Sequence, residues 1–141
     1  MIQLSEQVEI NIRFSEVDSL AIVWHGHYAK YFEDAREAFG RKFGLGYHEI
    51  YSQGFTAPIV DLNFEFKKSL YYNNRALVKA TFIDSKAAKI IFDYEILNAS
   101  TYELVAIGKS TQVFLMRENT ELCLTMPEFY IKWKRKWGLL E

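Results

Sequence analysis

Cysteine is almost absent from this 141-residue chain, in which Cys123 stands alone. A single cysteine cannot form an intramolecular disulfide and cannot complete a thiolate cluster. His25 and His27 are only two residues apart and His48 is distant, so we predict no metal site. The chain begins MIQLSEQVEI, which lacks the basic and apolar regions of a secretion signal. These features predict a cytoplasmic protein.

Long apolar runs and an excess of one charge are also missing. The 17 basic and 18 acidic side chains leave a net charge of −1, which gives no overall attraction to nucleic acid or to an anionic membrane. No apolar segment approaches the roughly 20 residues that cross a bilayer. The only basic cluster is KWKRKWG, residues 132–138, which we interpret as a solvated helix face with two packing tryptophans. We predict no nucleic-acid partner and no membrane span.

Hydrophobic residues are plentiful, at 50% of the chain, and 16% of all residues are aromatic. A chain of this length and composition can bury one substantial core, and it contains no linker, repeat or low-complexity segment. We therefore predict a single domain spanning residues 1–141.

The hydrophobic pattern predicts one strand, one long helix and four further strands. Residues 8–14 alternate at period two, and aromatic residues from Tyr28 to Phe43 then recur every three or four positions, as on a buried helix face. Gly44 and Gly46 mark the end of this helix. The later strands are predicted at 57–66, 75–84, 89–98 and 103–116, and Pro127 opens a short terminal helix.

This order of elements predicts an α+β fold with a curved, five-stranded antiparallel sheet wrapped around one long helix. Short connections at residues 84–88 and 98–102 are typical of hairpins, which is why the sheet should be antiparallel. An open sheet has unpaired edges, and proteins of this kind commonly cover an edge with a second subunit. We expect a homodimer or a homotetramer.

The segment FSEVDSLAIVWHGHY, residues 14–28, resembles the signature of the 4-hydroxybenzoyl-CoA thioesterase branch of the hotdog fold. That branch also holds the Tol-Pal-associated acyl-CoA thioesterases. In this comparison Asp18 stands at the catalytic aspartate, Ile22 to Trp24 match an apolar pair and an aromatic residue, and Tyr28 matches a tyrosine on the helix. Ala21 replaces the usual glycine, and its methyl group could narrow the approach to the thioester. The resemblance implies hydrolysis of an acyl- or aryl-CoA, with coenzyme A as part of the substrate and no separate cofactor.

The chemistry of these residues agrees with the resemblance. A thioester carbonyl becomes an oxyanion when it is attacked, and unpaired amides at a helix N-terminus stabilise such a charge. His25 and Gly26 are the residues whose amides we expect to do so. Asp18 can act as a nucleophile that forms a mixed anhydride, or as a general base toward water, and both roles stay open. The alternative for Asp18 is a helix-capping carboxylate.

The resemblance also implies a place for the nucleotide of coenzyme A. In the family it lies along the turn between the third and fourth strands, which here contains Ser85, Lys86 and Lys89. Lysines at such a turn can bind phosphate as point charges. The alternative is a solvated turn.

Other candidates and functions are weaker. Glu16 and His27 are secondary site candidates for which solvent exposure is the alternative, and Glu33 is interpreted as the partner of Arg36 in an ion pair. A noncatalytic acyl-CoA or acyl-carrier binding module is favoured by Ala21. A hotdog hydratase or dehydratase would act on the same thioesters, but its His-based loop and Gly-Pro turn are missing.

Overall fold

The computed structural model describes residues 2–141 and contains one five-stranded sheet, one two-stranded ribbon and three α-helices. In chain order the elements are β1 (Ser5–Asn11), α1 (His27–Phe43), α2 (Tyr47–Ser52), β2 (Phe55–Thr56), β3 (Ile59–Phe66), β4 (Arg75–Ile83), β5 (Lys89–Asn98), β6 (Leu104–Val113), β7 (Leu115–Met116) and α3 (Glu128–Lys136). None of the helices in this range is long and apolar enough to cross a membrane.

The main sheet has the strand order β1-β4-β5-β6-β3, and every neighbouring pair is antiparallel. The predicted α+β fold with a five-stranded antiparallel sheet is therefore confirmed. The register pairs Asn11 with Arg75 and Ser5 with Thr81, so β1 ends where β4 begins. Everything that follows β1 directly, including Asp18, consequently lies at that end of the sheet.

Helix α1 packs its aromatic face on the inner face of the sheet. Phe39 is fully buried, and its ring lies 4.8 Å from that of Phe92 and 4.5 Å from that of Phe43. The helix ends as predicted, because Gly44 adopts a left-handed conformation with φ of 74° and donates its amide to Gly40. Burial of this stripe holds the N-terminus of α1 beside the loop that precedes it.

Two strand boundaries differ from the prediction. The first strand stops at Asn11 because the next amide, that of Ile12, donates to Asn74, and residues 14–16 then form a 3₁₀ turn. The strand predicted at 103–116 is broken at Phe114, whose side chain is fully buried, and its last residues pair with β2. The short helix α2 was not predicted.

Helix α3 corrects the interpretation of the basic cluster at residues 132–138. Lys134 is only 1% exposed, and its Nζ donates to Asp84 and to the Ser85 carbonyl, both at 2.6 Å. The indole nitrogens of Trp133 and Trp137 both donate to the carbonyl of Phe43 at the end of α1. The tryptophans pack as predicted, but this face of the helix is not solvated. It binds the C-terminal end of α1 and the β4–β5 turn.

Candidate active site

A small hairpin connects the sheet to helix α1 and carries the candidate residues. Val17 and Val23 form an antiparallel bridge, and the amide of Trp24 donates to Glu16 at 3.0 Å. One arm of the hairpin therefore holds Asp18, and the other arm runs directly into His25, Gly26 and the helix. This arrangement places Asp18, His25 and Gly26 in one local structure.

The Asp18 side chain is exposed and uses only one of its two oxygens in the turn. Oδ1 accepts hydrogen bonds from the amides of Leu20 at 2.8 Å and Ile22 at 3.5 Å. Oδ2 accepts none within residues 2–141. Asp18 is not the N-cap of α1, because that position is taken by Gly26. One carboxylate oxygen is held in place while the other is free to react.

Ala21 adopts the left-handed conformation that favours glycine, with φ of 62°. Its amide donates to the carbonyl of Asp18 at 2.9 Å, and its own carbonyl accepts from Tyr72 at 3.1 Å. The turn therefore needs a positive φ at this position. Glycine adopts such a φ without strain, which explains why glycine is usual here in the family that the sequence resembles. Alanine at this position therefore strains the backbone of the turn.

We expect Ala21→Gly to raise the free energy of unfolding by about 0.5 kcal/mol. Relief of the left-handed strain is worth about 1 to 2 kcal/mol, and the greater freedom of glycine in the unfolded chain returns about 0.4 to 1 kcal/mol. Urea unfolding followed by circular dichroism measures the change. Ala29→Gly, on helix α1, is the matched control and should lower stability by about 1 kcal/mol. A loss of stability in Ala21→Gly would contradict this account.

The amides of His25 and Gly26 precede the first turn of α1. Within residues 2–141 neither amide donates a hydrogen bond to protein, whereas the next two amides donate to Trp24 and His25. The Trp24 ring lies directly over Gly26, where a Cβ would collide with it. Any larger residue at this position would require the exposed Trp24 ring to shift. The two free amides point from a helix N-terminus, where the helix dipole favours negative charge.

A cavity of about 280 Å³ lies beside His25, whereas Asp18 and Gly26 are not among the residues that line it. Its walls include His25 and the rings of Tyr28 and Phe66, which lie 5.0 Å apart. Burial raises the pKa of Tyr28, so its hydroxyl stays protonated at neutral pH. Lys67 and Lys68 line the same cavity and pair with Glu65 and Glu103, respectively. The cavity therefore combines an aromatic wall with His25 and two lysines.

The loop at residues 69–74 supports the hairpin, although the sequence signalled no role for it. Leu70 is fully buried and its carbonyl accepts the Val23 amide at 2.8 Å. Tyr71 forms a bridge with Ile22 beside it. The Asn74 side chain accepts the Tyr71 amide at 2.8 Å, which fixes the end of this loop.

Ser85, Lys86 and Lys89 lie far from this hairpin within one protomer. They belong to the β4–β5 turn, at the opposite end of β4 from Arg75 and hence from Asp18. The nine residues of β4 span roughly 30 Å at about 3.3 Å each. Lys86 and Lys89 are exposed and form no ion pair within residues 2–141.

The weaker site candidates differ in their surroundings. Glu16 is only 5% exposed, which makes the expectation of a solvated side chain wrong. His27 is the first residue of α1 and packs edge-on against Trp24. Glu33 and Arg36 form no ion pair in the described chain, so that interpretation is also wrong. No group of three or more metal-binding side chains lies together in residues 2–141.

Comparison with known proteins assigns the family. Residues 12–133 match the model of the thioesterase-like superfamily, which is most of the chain. The chain belongs to this superfamily. A relative in Bacillus subtilis, named "Putative acyl-CoA thioesterase YneP", is 33% identical over 111 residues, which cover 79% of this chain and 80% of the relative.

Solved structures of the family share the whole fold. The DHNA-CoA thioesterase of Staphylococcus aureus has a TM-score of 0.82 and 27% identity, with 96% of this chain and 92% of that chain covered. A 4-hydroxybenzoyl CoA thioesterase variant complexed with 4-hydroxybenzoyl CoA has a TM-score of 0.79 and 20% identity, with 92% and 98% covered. At that identity the second likeness concerns the fold alone. The predicted hotdog fold and family resemblance are confirmed.

Proposed function

We propose that this thioesterase hydrolyses an acyl- or aryl-CoA to the free acid and CoA, with Asp18 attacking or activating water and the amides of His25 and Gly26 binding the oxyanion. Thioester hydrolysis in general follows from the family and from its thioesterase relatives. The observation that carries the assignment to these residues is that one hairpin holds Asp18, with a free carboxylate oxygen, and leads directly into the two free amides of His25 and Gly26.

The spacing of the hairpin suits a thioester between the two halves. Asp18 pairs with Ile22, and His25 lies three residues farther along, which a fully extended chain would span in at most roughly 10 Å. An attack contact of about 3.3 Å, a C=O bond of about 1.2 Å and a hydrogen bond of about 2.9 Å span roughly 7 Å. The length that a thioester requires lies within this limit.

Two routes fit this geometry. In the first, Asp18 Oδ2 attacks the carbonyl carbon, CoA leaves as a thiolate, and water then cleaves the mixed anhydride. In the second, Oδ2 takes a proton from a water molecule that attacks the carbonyl directly. In both, negative charge develops on the carbonyl oxygen beside the His25 and Gly26 amides. Single-turnover hydrolysis in ¹⁸O-labelled water tests the first route: if water cleaves the anhydride at the Asp18 carbonyl carbon, Asp18 gains ¹⁸O and the released acid carries an unlabelled Asp18 oxygen. In the second route ¹⁸O enters the released acid and never Asp18.

The distance from Asp18 to Ser85, Lys86 and Lys89 makes a second subunit part of this proposal. Strand β3 is an edge strand, and four large apolar residues on it are exposed: Ile59, Val60, Leu62 and Phe66. Such an edge is a template for pairing with another chain. We therefore propose a homodimer in which β3 pairs with the same strand of a second copy.

Two-fold pairing of β3 also explains how the β4–β5 turn could bind CoA. A strand that pairs with its own copy about a two-fold axis is antiparallel to it, so the partner's sheet runs in the opposite direction. The partner's turn, with its Ser85, Lys86 and Lys89, then lies at the end of the sheet where Asp18 lies. In this arrangement the exposed lysines meet the CoA phosphates across the interface.

A panel of acyl-CoA and aryl-CoA substrates tests the proposed function. Release of free thiol, followed with a chromogenic thiol reagent, should be saturable and substrate-dependent. CoA binding without thiol release on any substrate would instead support the noncatalytic binding module, and hydration of an enoyl-CoA would support the hydratase. A cytoplasmic location and the homotetramer that is the alternative to the homodimer stay predictions.

A further inference from the structure

Glu16 is a buried carboxylate beside the candidate site, and its contacts are all with the hairpin and helix α1. Its Oε1 accepts the amide of Arg13 at 2.8 Å, and its Oε2 lies 3.6 Å from Lys30 Nζ. The side chain is 6% exposed, whereas that of Lys30 is 54% exposed. Burial of a carboxylate is costly unless hydrogen bonds and charges compensate for it. This carboxylate is therefore fixed in position by what it touches.

The main chain of Glu16 connects the two arms of the hairpin. Its carbonyl accepts the amide of Trp24 at 3.0 Å, and its amide donates to Arg13 at 3.0 Å. Trp24 directly precedes His25 and Gly26, and Glu16 itself lies two residues before Asp18. Both halves of the proposed site therefore meet at this residue.

The side chain adds a link to the helix. Lys30 is in the first turn of α1, next to the buried Tyr31, whose hydroxyl has no hydrogen-bond partner within residues 2–141. Burial, and the charge of Glu16, raise the pKa of Tyr31, so a neutral hydroxyl faces the carboxylate. Arg13, Lys30 and Asp34 also face the small cavity at this point. The surroundings of Glu16 thus come from the hairpin on one side and from α1 on the other.

We propose that Glu16 is a positioning residue that sets the spacing between the Asp18 carboxylate and the His25 and Gly26 amides: its side chain fixes the Arg13 amide, while its main-chain carbonyl holds the Trp24 arm. The inference rests on the proposed function of those three residues. A displacement of about 1 Å between reacting groups lowers rates on the order of 100-fold, so loss of this tie should appear in catalysis. The residue need not touch the substrate for this effect.

The test compares Glu16→Ala and Glu16→Gln by steady-state kinetics on the best acyl-CoA substrate. Glu16→Ala should lower kcat on the order of 100-fold, with KM within about 3-fold of wild type, because the reacting groups are misplaced and the binding cavity is intact. Glu16→Gln should restore kcat to within about 3-fold. The amide oxygen of glutamine still accepts from Arg13, and the partly exposed pair with Lys30 contributes little.

Glu49 provides a matched control. Its Oε1 accepts the Gly46 amide, also three residues earlier and also at 2.8 Å, but it lies on α2 away from the hairpin. Glu49→Ala should leave kcat unchanged. An equal loss of kcat in Glu49→Ala, or wild-type kcat in Glu16→Ala, would overturn the inference.

A fourth variant keeps the test informative if Glu16→Ala does not fold. Glu16→Asp retains the charge but falls one methylene short of the Arg13 amide, and its kcat should drop about 10-fold; unchanged kcat would count against positioning. Thermal unfolding of each variant shows that the protein assayed is folded. Asp18→Asn is assayed in parallel, since full activity in that variant refutes the catalytic assignment, whereas an inactive Asp18→Asn with an active Glu16→Ala refutes only the role of Glu16.

Discussion

Asp18→Asn is expected to lower kcat for acyl-CoA hydrolysis by about 100-fold or more. Asparagine has nearly the same shape, and its oxygen can still accept the Leu20 amide, so the turn should persist. What is lost is the anionic oxygen that attacks the carbonyl or takes a proton from water, and such groups typically contribute 10²- to 10⁴-fold, roughly. The His25 and Gly26 amides stay in place, so some residual activity is expected.

The measurement is thiol release under saturating substrate, together with KM. Because the cavity and the free amides are unchanged, KM should stay within a few-fold of the wild-type value. Asp93→Asn is the matched control: Asp93 is an exposed carboxylate on β5, in no ion pair within residues 2–141. Wild-type turnover in Asp18→Asn would remove Asp18 from the mechanism.

Leu62→Lys is expected to convert the proposed dimer to a monomer and to lower its activity at the same time. Leu62 is 38% exposed in the middle of β3, where its apolar side chain would meet the partner strand. A lysine at a sheet edge opposes edge-to-edge pairing because burial of its charge is costly. Light scattering should then report a mass near the 16.6 kDa of one chain, and twice that mass for the wild type.

The KM of the Leu62→Lys variant separates the two parts of the dimer proposal, which are pairing through β3 and binding of CoA by the partner subunit. If the partner's Lys86 and Lys89 bind CoA phosphates, the monomer should show KM for acyl-CoA raised about 10-fold or more, because each charge-assisted phosphate contact contributes about 1.5 kcal/mol or more. Gln7→Lys, on β1 at the opposite edge of the sheet, should leave mass and KM unchanged. A monomer with unchanged KM would contradict CoA binding across the interface, and an intact dimer would contradict pairing through β3.

The sequence predicted most of the site through local pattern. Asp18 stands a few residues before an aromatic helix, and hairpin and helix N-terminus are both structures of short sequence range, so their meeting could be foreseen. The burial of Glu16 could not be foreseen. Its neighbours Lys30 and Tyr31 are fourteen and fifteen residues away, and a glutamate in a polar turn looks solvated unless the packing of α1 is known. Glu16 lies three residues after Arg13, the spacing at which a glutamate side chain accepts a backbone amide at the start of a helical turn. This spacing was the one signal in the sequence that Glu16 is held in place.

The sequence alone determined the order of the main elements and the aromatic face of α1, and it gave the hypothesis about Asp18, because these follow from periodicity and from residues that are close in the chain. The tertiary structure decided what distant segments do to one another. It placed Ser85, Lys86 and Lys89 at the far end of the sheet from Asp18, exposed the β3 edge and buried Lys134 against Asp84. Strand register and burial arise from contacts between residues tens of positions apart, and no local pattern encodes them.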